Sequence, residues 1–161
     1  MFPFLEFPLD NFVGAIHVTV TLLNAQPAAR LMARKGWDRI VNIASVAGMR
    51  AVGTGRAAYG TSKGAVIALI RQMGVELAEH GITTNAVSPG AVDTPMTRVL
   101  HSGKFRKEYM DATSMDRYGT TRKVASAVRY FVGDEAGYTT GVVLPVDGGF
   151  LASGTTEGDG S

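Results

Sequence analysis

Two apolar runs rich in β-branched residues, Arg39–Ser45 and Ile82–Ser88, bracket a stretch of helical character from about Gly55 to His80. Each run reads as a buried strand. Strand–helix–strand order implies a parallel sheet with right-handed crossovers. A third run, Gly141–Val146, follows a helical stretch over about Thr121–Gly133 and continues the alternation. The chain therefore reads as α/β, with about three parallel strands and flanking helices.

The rest of the chain fits around that frame. A helix is expected from about Pro8 to Lys35, with Pro8 at its first turn. Pro27 inside it should kink or divide it. The long helix should end at His80-Gly81, where Gly suits the cap and a cation suits the dipole. Its Ala, Leu, Ile and Val spacing suggests two buried faces, one on the sheet and one on a partner. Thr94–Ser114 should hold a short helix or two, and Met96, Phe105, Tyr109 and Met110 are either pocket lining or ordinary helix packing. Arg122 and Lys123 occupy a first turn where the dipole prefers acids. Residues 1–152 read as one domain, and the Gly-, Ser-, Thr- and acid-rich tail 153–161 as disordered.

Chemistry enters with Tyr59 and Lys63, one helical turn apart in Tyr59-Gly60-Thr61-Ser62-Lys63. An ammonium beside a phenol favours the phenolate, and Tyr otherwise titrates near pH ~10. A phenol brought nearer to working pH can pass a proton to or from an alcohol. Ser45 ends its strand, at the edge where open α/β sheets bind ligands. The run Asn85–Met96 reads as a strand ending in a Pro89-Gly90 turn. Gly48-Met49-Arg50-Ala51-Val52-Gly53-Thr54-Gly55 is glycine-rich, but its spacing fits neither the dinucleotide fingerprint nor a P-loop. It reads as a loop near a substrate.

Strand-end Ser45, the Tyr59/Lys63 pair, the Ser88-Pro89-Gly90 segment and the Val146-Asp147-Gly148-Gly149 ending, in this order and spacing, resemble the short-chain dehydrogenase/reductase family. The resemblance runs from about Pro3 to Ala152 and implies a partial Rossmann-like, doubly wound sheet. It implies that Ser45, Tyr59 and Lys63 are the catalytic residues. It also implies that Pro89, Gly90, Val92 and Thr94, with Tyr59 and Lys63, hold the nicotinamide end of NAD or NADP. The implied reaction moves a hydride between that cofactor and an alcohol or ketone. In the family an Asn on the helix before the Ser strand helps hold a relay water, and His17 stands at that position. His17 is either a substituted relay residue or a helix-face His. The family's opening strand with its Gly-rich turn, and its Asn-Asn-Ala-Gly segment, have no counterpart in these residues. The strand Ile40–Ile43 should then offer a bare apolar edge.

Composition narrows the alternatives. At 161 residues, 45% hydrophobic and 19% charged, the chain is an ordinary globular domain. A net charge of +2 with scattered cations argues against a nucleic-acid partner. No Cys is present, and the three His form no ligand pattern, so no metal site is expected. Met1-Phe2-Pro3-Phe4-Leu5 makes a poor signal peptide, and no run is long enough to span a bilayer, so a soluble cytoplasmic protein is expected. The resemblance implies a homo-oligomer, dimer or tetramer, through the helices at 8–35 and 55–80. Two functional readings follow: an NAD(P)-dependent oxidoreductase acting on small alcohols or ketones, or a non-catalytic remnant that serves as an oligomerisation module.

Overall fold

A computed structural model describes residues 3–13 and 17–154. Three parallel strands, β1 (Asp38–Ile43), β2 (Ile82–Pro89) and β3 (Val143–Val146), form one sheet in the order β1-β2-β3. Asp38 pairs with Ile82 and Ile43 with Val87; Ala86 pairs with Val143 and Pro89 with Val146. The central strand is buried along nearly its whole length, as expected where helices cover both faces of a parallel sheet. α2 (His17–Met32) and α3 (Ala57–Glu76) lie on one side, and α6 (Thr121–Val132) on the other.

The core follows from these layers. Val66, Ile67 and Ile70 of α3 pack on Ala44 and Ala86 of the sheet. Phe131 of α6, on the other side of the sheet, is almost fully buried. β2 also buries Thr84, Asn85 and Ser88; the Thr84 and Ser88 hydroxyls find no hydrogen-bond partner among the described residues, a cost that Asn85 avoids. Asn85 Nδ2 donates to Thr139 O at 2.7 Å, and its Oδ1 accepts from Val142 N at 3.0 Å. The side chain therefore ties the approach to β3 onto the central strand.

Element ends differ from the sequence reading in explicable ways. β1 stops at Ile43 rather than Ser45, although Ala44 N still donates to Val87 O at 2.8 Å. Ser45 leaves the ladder to cap the helical turn Val46–Gly48, accepting from Ala47 N at 3.2 Å. α3 ends at Glu76, and a tighter turn, Ala78–His80, carries the chain to Gly81. Gly81 has φ 71°, and a Cβ there would lie 2.1 Å from Gly36 O, so the expected glycine stop holds for two reasons. β3 begins at Val143 rather than Gly141, and it tolerates Pro145 because it is an edge strand.

Helix is found at α1 (Leu9–Val13) and α2 within the expected 8–35 span; residues 14–16 lie outside the described residues. α2 runs through Pro27 without dividing there and stops at Met32 rather than Lys35. The 94–114 segment forms two helices, α4 (Pro95–Leu100) and α5 (Gly103–Asp111). α6 begins without an acid in its first turn and without a side-chain cap. Of the expected tail, Ser153 Oγ donates to Ala112 O at 2.9 Å, and residues 155–161 lie outside the described residues. Nothing among the described residues pairs with the outer edge of β1.

Candidate active site

The strand order exposes the carboxyl ends of β1 and β2 to a cleft of about 520 Å³. Ser45, Tyr59 and Lys63 all line it, as do Pro89, Gly90, Val92 and Thr94. Every residue assigned from sequence to catalysis or to the nicotinamide end therefore faces one cavity, except His17. The three groups arrive by different routes. Ser45 comes from the turn after β1. Tyr59 and Lys63 come from successive turns of α3. The others come from the turn after β2.

Glycines let these routes meet. A Cβ on Gly48 would fall 2.6 Å from Lys63 C and 2.7 Å from Gly64 N. One on Gly60 would approach Ala47 O to 3.1 Å. The turn carrying Ser45 thus rests directly on the α3 backbone. This is the physical role of Gly48, the first glycine of the loop dismissed above as a phosphate cradle. Gly90 has a comparable role, since a Cβ there would meet Asp147 at 2.9 Å.

Lys63 Nζ donates to Ile43 O at 3.1 Å and lies 5.9 Å from the centre of the Tyr59 ring. Burial pulls its ammonium below the ordinary lysine value. One N–H is spent on the strand end, which leaves two for a ligand. That donor set fits a ribose diol at the nicotinamide end of a dinucleotide.

His17 is not on the cleft wall but behind it. Its Nδ1 lies 2.9 Å from Ser62 Oγ, and its ring meets that of Tyr59 edge-on at 5.6 Å. The Ser62 hydroxyl donates to Tyr59 O at 2.8 Å, so the network is satisfied when His17 Nδ1 carries the proton and Nε2 is an acceptor. Burial, and then the Lys63 charge, lower its pKa below the ordinary imidazole value.

The far wall was only partly anticipated. Met96, Phe105 and Tyr109 line the cleft, whereas Met110 packs on the aromatic cluster behind it. That cluster holds Val46, Tyr109, Tyr118 and Phe150, with Tyr109 stacked on Phe150 at 4.6 Å. Burial, then Asp147 and Tyr118, push the Tyr109 phenol up to about 12, so it remains neutral. Sequence reasoning missed Arg56, Leu100 and His101, which also line the cavity. Arg56 had a signal: it lies three residues before Tyr59, the same one-turn logic that singled out Lys63. His101 had none, because its place depends on how α4 and α5 fold back.

Comparison with known proteins accounts for this arrangement. The sequence model of the family described as "Enoyl-(Acyl carrier protein) reductase" matches residues 2–151. The 3-oxoacyl-(acyl-carrier-protein) reductase MabA of Mycobacterium avium is 38% identical over 146 residues, covering 91% of this chain and 54% of the relative. A crystal structure of acetoin dehydrogenase from Enterobacter cloacae superposes with a TM-score of 0.84 at 36% identity, covering 97% of this chain and 62% of that one. A gluconate 5-dehydrogenase from Burkholderia cenocepacia, solved with NADP and tartrate, gives a TM-score of 0.89 at 28% identity, covering 95% and 61%. The chain thus spans between half and two-thirds of the length of these relatives. With the family model matched along nearly its whole length and the strand-tip Ser, Tyr and Lys brought to one cleft, the chain belongs to the short-chain dehydrogenase/reductase family.

Proposed function

We propose that the cleft is the reaction centre of an NAD(P)-dependent oxidoreductase that interconverts a small alcohol and its ketone. The observation that carries this reading is the meeting of Ser45, Tyr59 and Lys63 on the walls of one cavity. Relatives named as reductases and dehydrogenases support it, one of them solved with NADP. Lys63 would hold the nicotinamide ribose, and Pro89, Gly90, Val92 and Thr94 the nicotinamide end. Bound there, the cofactor supplies or accepts hydride at the carbinol carbon.

The chain's own residues manage the oxygen and its proton. The Ser45 hydroxyl donates to the substrate oxygen, where negative charge gathers during reduction. The Tyr59 hydroxyl gives that oxygen its proton and takes one back in the oxidative direction. The Lys63 ammonium sets a positive charge beside both. His17, fixed through Ser62, offers Nε2 to a water and so extends the proton path from Tyr59.

The second reading, an association module without turnover, draws on the bare β1 edge and on the apolar flank of α2 and α3. The two readings share the proposal of a homo-oligomer, dimer or tetramer, through these helices. No described helix is long and apolar enough to cross a membrane, and we place the protein in the cytoplasm with its cofactor pool. Titration of the purified chain with NADH and NADPH, followed by assay on a panel of small ketones, separates the readings. Micromolar binding with turnover, and a kcat lowered about 10²–10⁴-fold by Tyr59→Phe, would support the enzyme. Absence of binding up to millimolar cofactor, or an unaltered kcat in Tyr59→Phe, rejects the enzyme in favour of the module.

A further inference from the structure

One charged side chain in the cleft has no part in the proton chemistry. Arg56 precedes α3 as its N-cap residue, one turn before Tyr59. Its guanidinium lies 5.1 Å from the centre of the Phe105 ring. Among the described residues it makes no hydrogen bond and no ion pair. The nearby arginines are different. Arg98 and Arg106 bind Asp93 at 2.8 and 3.2 Å, and Arg50 donates to Phe150 O at 3.1 Å. Arg56 alone of these keeps all five donors unspent, half-buried and facing the cavity.

Nothing in the wall offsets that charge. Among the described residues, Arg56 and Lys63 are the lining residues with a permanent charge, and no Asp or Glu lines the cavity. Asp93, close by in sequence, already serves two guanidinium groups. His101 adds no acid either: burial, and then the Arg56 and Arg106 charges, lower its pKa and keep the ring neutral at neutral pH. The rest of the far wall is apolar, with Val52, Met96 and Leu100. A weakly hydrated, planar cation held against an aromatic face in such a wall is suited to a planar anion that accepts two parallel N–H bonds.

We infer that the substrate carries a carboxylate, bound by Arg56 while its hydroxyl or carbonyl carbon sits at Ser45 and Tyr59; the compound is a short hydroxy or oxo acid. The inference rests on the oxidoreductase reading of the same cleft. Arg56 and Tyr59, three residues apart, line the same cleft, which favours a short ligand. A phosphate dianion is a poorer match, because among the described residues Arg56 is the one guanidinium lining the cavity and Lys63 is reserved for the ribose.

Equilibrium binding tests this without depending on turnover. The full chain, saturated with NADH or NADPH, is titrated by calorimetry with 3-hydroxybutyrate, its methyl ester, and glycerol 3-phosphate. The acid is expected to bind at least tenfold more tightly than the ester. Arg56→Gln should collapse that ratio towards one, and Arg56→Lys, which keeps the charge but loses the fork, should retain part of it. Circular dichroism of both variants confirms the fold. Equal affinity for acid and ester, no detectable binding of the acid, a ratio untouched by Arg56→Gln, or tighter binding of the phosphate ester would each overturn the inference. Arg56-dependent acid binding, with no reduction of NAD(P)+ by 3-hydroxybutyrate and no oxidation of NAD(P)H by the corresponding oxo acid, would leave the inference standing and reject the oxidoreductase reading. Turnover of neutral and acidic ketones with one efficiency would do the reverse.

Discussion

His17 and His101 are both placed where protonation is unwelcome. His101 Nδ1 is 2.8 Å from Tyr118 Oη, and its ring meets Phe105 edge-on at 4.8 Å. Burial is the first cause of the lowered pKa at both histidines, followed by neighbouring cations. The unfolded chain binds a proton at each near pH ~6.5, and the folded chain does so only at lower pH. Their contribution to stability is therefore complete above about pH 6.5 and is lost as pH falls towards the depressed folded values. Thermal unfolding should show a lower Tm at pH 5.5 than at pH 7.5, and His101→Gln should shrink that difference; a pH-independent Tm would contradict it. At this scale sequence spacing was informative where side chains share a helix. Tyr59, Lys63 and, had the rule been applied once more, Arg56 follow from spacings of four and three residues at the start of α3. Ser45 was legible from its place at a strand end, although it leaves the ladder. His101 and Tyr118 were not legible, since their meeting depends on the path between α4 and α6.

Pro27 shows how an element can outvote a local rule. It removes the N–H that would reach Leu23 O, yet α2 continues on both sides of it, with Ala25 and Ala29 buried on the inner face. Tertiary packing holds the helix where propensity would break it. Pro27 itself is exposed, so Pro27→Ala should restore the bond without disturbing the core. The expected gain is about 1–3 kcal/mol, read as a higher denaturant midpoint with an unchanged slope; a lower midpoint would mean that the ring has a packing role. Strand identity and parallel order were legible because β-branched runs alternate with helical ones. Boundaries slipped by one to four residues, in places because side chains, not propensity, end an element. Ser45 capping the turn after β1 is one such case. Asn85, which clamps the segment before β3, is another.

For the molecule as a whole, the unsettled surface is the flank of α2 and α3. Leu22, Leu23, Leu31 and Val75 are all well exposed there, at 46%, 66%, 62% and 75%. Beside them a groove of about 320 Å³ runs between the helices, lined by Leu22, Ala29, Leu69 and Leu77. We propose this flank as the interaction face, since exposed apolar surface often marks one. Sedimentation velocity should find a dimer or tetramer, and Leu22→Glu with Val75→Glu should convert it to monomer; a monomeric parent would remove the proposed assembly. The sheet topology also governs how the chain comes into being. Asp38 pairs with Ile82, about 44 residues further along, and no tight turn brings any strand to its neighbour. At about 5–20 residues per second of synthesis, β1 leaves the ribosome roughly 2–9 seconds before β2 exists to receive it. During that interval its isoleucines and valine stand without the strand that will cover them, an exposure set by the order of synthesis rather than by final stability.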